Sequence, residues 1–390
     1  MKVEQIYNII NTITEENIGE SIVVAEDLSN IVDIGDTIQN TMGLDNYVRK
    51  LVDHIGRVIF VDRVYGGRAP SVVRDGWEYG SIMEKVAVSI LPEATENETW
   101  ELQNGQSYDP NIFTAPEVNV KFYNDRITFE IPISFTEDQV KSSFSSVTQL
   151  NAFISMIRTA IQNSMTVKID SLVMRTINNA IGETLYDDFN AGTYTGASGV
   201  KAVNLLYLYN VATYGETTGS YIDTDTFMHT PEAIRYAVNV FKNYIDRLAV
   251  MSTLFNVGGA PRFTSRDDLH VVMLSEFKNA ADVFLQSGTF NEQYTALPNA
   301  ESVVYWQGSG ASYDFDDTSA IKIKTASGHD INASGILAVM FDRDALGVAN
   351  LDTHVTTNYN PKAEFFNEWT KCTMGLWNDG NENTVVFYVA

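Results

Sequence analysis

The chain has 390 residues, 44% of them hydrophobic, which is enough apolar surface for two or three folding units. Fifty acidic against 26 basic residues give a net charge of -24, so the surface as a whole repels nucleic acid phosphates. A single cysteine, Cys372, excludes an intrachain disulfide framework and a thiolate metal cluster built by one chain, and points to a reducing compartment.

In chain order, MKVEQIYNIINTITEENIGES lacks a basic region followed by an apolar run, and no 18-residue apolar stretch occurs. A soluble chain made in the cytoplasm is expected, with the sequons at Asn97 and Asn332 chance matches. Residues 1–57 read as a helical arm, with Val3, Ile6, Ile9 and Ile10 at helical spacing and then Tyr47, Val48, Leu51 and Ile55. Residues 58–135 change character: RVIFVDRV, SIMEKVAVSI, VNVKFY and ITFEIPISF are β-branched and aromatic. Between them lies the polar, turn-rich PEATENETWELQNGQSYDPN, which predicts a long β-hairpin with a loose acidic tip carrying Glu93, Glu96, Glu98 and Glu101.

Residues 136–186 are expected to form one very long helix. Thr136 with Gln139 reads as a capping box, with Glu137 and Asp138 in the first turn. Val140, Phe144, Val147, Leu150, Ile154, Ile157, Ile161, Met165, Ile169 and Leu172 then recur at steps of mostly three and four, a stripe continued by Val173, Ile177 and Ile181. Gly182 is read as its stop, and Ser145-Ser146 as a candidate bend. Residues 187–340 alternate helices and strands as an α/β insert. It includes TPEAIRYAVNVFKNYIDRLAVM, with Thr230 as N-cap and Pro231 at the first helical position, then LHVVML as a buried strand and SEFKNAADVFLQSG as a helix. Residues 341–390 close the chain with strands, of which ENTVVFYVA alternates most clearly.

Catalytic signatures are missing from the sequence. His54, His229, His270, His329 and His354 are scattered, and no HExxH, P-loop, GxGxxG or GxSxG occurs. Asp314, Asp316 and Asp317, with Asp330, are candidate calcium ligands, but they lack the glycine and terminal glutamate of an EF-hand loop, so a solvated loop is the plainer reading. Trp77, Trp100, Trp306, Trp369 and Trp377 are not interleaved with basic residues, which favours core and interface packing over nucleic acid stacking. A structural or binding protein without cofactor is therefore expected. A carbohydrate-active hydrolase built on the acidic loops and tryptophans is the remote alternative.

An arm and a projecting hairpin bury too little surface alone and make sense when neighbouring copies cover them. In this order, ITFEIPISFTEDQVKSS leading into the long helix, LHVVMLSEFKNAADVFLQ, GILAVMFDRDALGVANLDTHVTTNYNP and ENTVVFYV resemble the major capsid protein of tailed double-stranded DNA bacteriophages, with its Hong Kong 97-type fold. The phrasing of DLSNIVDIG and LVDHIGRVIFVDR is also similar to head proteins of phages of Gram-positive bacteria. The resemblance implies an α+β fold divided into an N-terminal arm (1–57), an E-loop hairpin with P-domain strands (58–135), a P-domain spine helix (136–186), an A-domain (187–340) and C-terminal P-domain strands (341–390). It implies pentamers and hexamers of an icosahedral virion shell assembled in the bacterial host cytoplasm, enclosing double-stranded DNA without sequence-specific binding and joined by a portal protein. A separate scaffolding protein is expected, because nothing before Ile38 resembles the helical scaffolding domain of some relatives. Tyr47, Val48, Leu51, Ile55, Trp77, Trp100 and Tyr108 are the candidate inter-subunit contacts, and Lys141, Asn151, Arg158, Gln162 and Asn179 the helix side turned to solvent or DNA. Some relatives form a covalent cross-link from a hairpin lysine; Lys85 has no assignable glutamate partner for it, so that chemistry is not carried over to this chain. An encapsulin-like shell around a cargo enzyme is the alternative within the same fold.

Overall fold

The structure is a computed structural model that describes residues 70–74, 83–88, 94, 96, 101–109, 111, 113, 115, 118–137, 147–189, 197–215, 218–286, 300–306 and 321–390. The order is β1 (Val73–Arg74), β2 (Met83–Val88), β3 (Val118–Tyr123), β4 (Arg126–Thr136), α1 (Val147–Phe189), β5 (Ala202–Asn204), α2 (Leu205–Tyr214), α3 (Thr224–Phe227), α4 (Pro231–Leu248), β6 (Leu269–Leu274) and α5 (Ser275–Gln286). It continues through β7 (Ala300–Val303), β8 (Ile321–Lys324), β9 (Asp330–Ala333), β10 (Ile336–Asp342), β11 (Leu346–Asn360), β12 (Phe365–Asn378) and β13 (Thr384–Tyr388).

Two sheets carry the fold, in strand orders β1-β11-β12-β4 and β5-β13-β10-β6-β7, with β2-β3 and β8-β9 as separate two-stranded ribbons. In the five-stranded sheet β10 and β13 are buried along their whole length, the near-continuous apolar run of a strand covered on both faces. Chain order groups β13 with the strands after residue 341; in space it pairs instead with β5 and β10, in the middle of the sheet built by the insert. α4 covers this sheet. It has Pro231 at its first position, Glu232 in its first turn and Arg247 in its last, each suited to its end of the helix dipole. Its buried face runs through Ile234, Val238, Phe241, Ile245 and Leu248, and Phe241 meets Phe387 with ring centres 4.4 Å apart. Thr230 is the N-cap by backbone, yet its hydroxyl donates back to Thr226 O (2.9 Å), so no side-chain cap forms.

α1 has 43 described residues and extends roughly 65 Å. Two expectations about it are corrected. Thr136 is the last residue of β4, paired with Phe365, and Glu137 directly after it is already helical, while Gln139, its expected capping partner, lies outside the described residues. Gly182 does not stop the helix, which continues to Phe189. A Cβ on Gly182 would lie 3.0–3.2 Å from Thr325, Ile331 and Ile323, so its bare backbone lets the β8-β9 ribbon lie directly on the helix. Nor is there a single stripe over one sheet: from Ile169 to Leu185 burial wraps most of the circumference, because α1 packs on β11, β12 and β13 and is capped by β8-β9. The buried hydroxyls of Thr176 and Thr184 satisfy themselves on the carbonyls of Leu172 and Ala180, both at 2.8 Å. Val147, Leu150, Ile154, Ile157, Ile161, Met165, Ile169 and Leu172 all lie on α1; Ile157, Ile161, Ile169 and Leu172 are buried and Met165 half-buried. Val140 and Phe144, with Lys141, lie outside the described residues.

Candidate functional site

The β2-β3 ribbon leaves the molecule from a root held by charge. Lys85 and Lys121 are direct cross-strand partners, an arrangement that is repulsive on its own. It is stabilised by the turn after β12. Asp379 reaches both ammonium groups, 2.7 Å to Lys85 and 2.9 Å to Lys121, and Glu382 reaches Lys85 at 2.7 Å and the Arg262 guanidinium at 3.3 Å. Three separate parts of the chain therefore meet at one turn: the ribbon, the loop after α4 and the connection from β12 to β13.

The electrostatics agree with the geometry. Burial alone would raise the Asp379 carboxyl, but hydrogen bonds from Lys85 and Lys121 outweigh it and hold its pKa at about 2. Burial likewise opposes the charged form of Lys85, and the Asp379 and Glu382 carboxylates overcome it and raise its pKa. Tyr123, on the same ribbon face, is pushed up by burial and by the Asp379 charge. Lys85 is thus an ion-paired anchor within its own subunit, held in the protonated form that is a poor nucleophile. The turn is braced from behind: Asp379 N donates to Ala345 O (2.6 Å), Asn381 N to Asp379 Oδ1 (3.0 Å) and Gly258 N to Gly380 O (2.7 Å).

The opposite face of the ribbon is open. Val86 and Val120 are cross-strand partners there, flanked by Val118 and Phe122, and all four are exposed. Residues 101–109 beyond the ribbon are exposed throughout, including Tyr108, whose hydroxyl accepts from Gln103 N at 3.2 Å.

The other candidates sort as follows. Tyr47, Val48, Leu51, Ile55, Trp77, Trp100 and the calcium candidates Asp314, Asp316 and Asp317 lie outside the described residues. Among the described residues no group of three His, Cys, Asp or Glu side chains is placed to hold a metal ion. Trp306 and Trp377 are core residues, Trp306 donating from its indole to Ile336 O at 2.8 Å. Asn179, expected on a solvent-facing side, instead accepts from Ala326 N at 2.7 Å and so helps to seat the β8-β9 ribbon. Glu183 and His329 complete that seat. Burial would raise the Glu183 carboxyl, but hydrogen bonds from Thr325 and Ser327 lower it; the His329 ring stacks on Tyr186 with centres 3.5 Å apart. A cavity of 170 Å³ beside the root is lined by Glu183, Asp379 and Glu382. The last two are committed to Lys85, Lys121 and Arg262, so this cavity lacks the free carboxylate pair of a glycoside hydrolase. No helix among the described residues is long and apolar enough to cross a membrane.

Sequence reasoning missed Asp379, Glu382 and Arg262. Each lies more than 100 residues from its lysine or carboxylate partner, and no local pattern marks them.

The capsid structure of Staphylococcus phage Andhra is similar at a TM-score of 0.52 and 11% identity, covering 84% of this chain and 86% of that one. The capsid structure of Cyanophage P-SCSP1u aligns over 84% and 88% with 10% identity and a TM-score of 0.44. No curated protein matches. The fold is that of Hong Kong 97-type phage capsids, a mixed helix and sheet architecture. A profile of the Phi29-like phage major capsid protein family matches residues 10–388, nearly the whole length, and the chain belongs to that family.

Proposed function

We propose that copies of this capsid protein close into an icosahedral shell of pentamers and hexamers that encloses double-stranded DNA, with the β2-β3 ribbon lying across the neighbouring subunit. The family match carries the reading, and the ribbon supports it in detail: it is fixed by charge at its root and open on its other face. A two-stranded ribbon is at best marginally stable in water, so a covering surface from a neighbour gives it a reason to project. Closed symmetry then sums modest contacts into a stable particle.

In this reading the five-part division into arm, hairpin, spine helix, insert and closing strands describes how one subunit tiles the shell. The role of the chain is structural rather than catalytic, its place is the virion, and assembly takes place in the host cytoplasm with a separate scaffolding protein and a portal. The charge of -24 gives a wall that repels the genome, so DNA slides during packaging without adhering.

Negative-stain microscopy of the expressed chain, alone and with its phage's scaffolding protein, tests the proposal. Closed shells of uniform diameter are expected, and a monomer under all conditions overturns it. Shells that hold a cargo enzyme in place of DNA overturn the genome assignment, as does tight binding of free duplex by purified shells at low salt.

A further inference from the structure

The loop between α4 and β6 is built as a rigid knob and tipped with exposed apolar side chains. Its frame is a short antiparallel contact in which Ser252 and Arg262 exchange both backbone hydrogen bonds, at 2.9 and 3.0 Å. Asn256 closes the tip through a reciprocal pair with Ala260, 2.7 and 2.8 Å, and is itself buried. Below, Phe255 is buried, with its carbonyl accepting from Thr384 N (2.8 Å) and its ring edge-on to Tyr244. The Thr264 hydroxyl donates to the buried Asp342 carboxylate at 2.7 Å. Gly258 presses against the turn after β12, where any Cβ would collide with Asn381.

On this frame, side chains alternate sides. Arg262 points to Glu382 and the ribbon root, while its neighbour Phe263 and the facing Met251 turn outward. Phe263 is 54% exposed, Met251 45%, Leu254 59% and Val250 64%. Four large apolar side chains at the surface of a braced loop are a different matter from four on a loose one. The conformational entropy that a partner would otherwise have to overcome is already spent in folding, which is the property of an interface anchor.

The charge pattern says which partner fits. From Leu248 to Arg266 the chain holds no Asp or Glu, although 50 acids in 390 residues would place about two in such a span. Copies carrying a charge of -24 repel one another, so a contact between copies favours surface free of carboxylates. A basic partner would be drawn instead to the acidic surface elsewhere. We infer that the Val250, Met251, Leu254 and Phe263 knob is a docking surface for a second copy of this chain, the apolar centre of a subunit contact whose rim lies outside the knob. The inference rests on the shell proposed above and names one of its contacts.

The test exploits the native thiol, since Cys372 is 1% exposed and gives a silent background. A Met251→Cys variant is expected to react with a maleimide probe in free subunits and to lose that labelling in assembled shells. A Met251→Ser/Phe263→Ser double variant alters only exposed positions, so its thermal midpoint should stay that of the wild type. It is expected to raise the subunit concentration needed for shell formation by about tenfold or more. Met251→Cys shells that label as fast as their free subunits overturn the inference alone, and mean that the knob faces solvent or a partner other than this chain. So does unchanged assembly of the double variant. A wild-type chain that forms no shells overturns the shell proposal and this contact with it.

Discussion

Asp379 stands between two lysines that would otherwise face each other across the ribbon. Asp379 is buried but both lysines are partly open to water, which screens the charge left behind, so Asp379→Ala is expected to cost about 1–3 kcal/mol at the root. The readouts are a lower denaturant midpoint and earlier proteolysis within residues 83–123. Asp379→Asn keeps the shape and removes the charge; if it behaves like wild type, the electrostatic account fails. The pH dependence has a definite sign. The carboxyl is held at about 2 in the folded chain against an ordinary 3.8, so its contribution is fully present above about pH 4 and is lost as pH falls through 2. Glu183, also lowered, acts in the same direction, and Asp342, raised by burial, acts in the opposite one. Cys372 offers a second check. Its thiol is buried and raised by that burial, so thiol reagents are expected to modify it only after unfolding. None of the root carboxylates was legible in the sequence, because Glu382 lies 297 residues from Lys85 and its local context is an ordinary polar turn.

At the level of elements, the strands were the most legible part. VNVKFY and LHVVML coincide with β3 and β6, because β-branched runs bounded by turn residues have few other uses in a folded chain. The long helix was legible as a helix and misread at its end. A glycine directly after the last apolar residue of the stripe looks like a terminator, whereas Gly182 is an interior position where another element comes close. Alanine there normally stabilises a helix by up to about 1 kcal/mol. Here its methyl would press on Thr325, Ile323 and Ile331, so Gly182→Ala is expected to destabilise the chain by about 1–3 kcal/mol, read by thermal denaturation. A gain in stability would show that the β8-β9 ribbon yields easily. The polar side of the helix was misread for a related reason: Asn179 looks solvated on a helical wheel, and only the ribbon, 147 residues away, reveals its use.

For the whole molecule, the capsid fold was legible because a hairpin set apart from the main sheets and an outsized helix make little sense as one compact core. Which surfaces touch which was not, since contacts between copies leave no local period in the sequence. Deleting residues 93–107 is expected to leave a folded chain that cannot close shells, and normal particles in electron micrographs would refute this. The position of β13 carries a further consequence, for synthesis. β5, β6, β7 and β10 all leave the ribosome before β13, yet β13 is the strand that joins β5 to β10. A nascent chain therefore holds its largest sheet in two unconnected pieces until residues 384–388 emerge, and such non-local pairing is slow to form. A chain that stops short of residue 384 lacks the strand that links β5 to the rest of that sheet, so truncated subunits are expected to fail to fold.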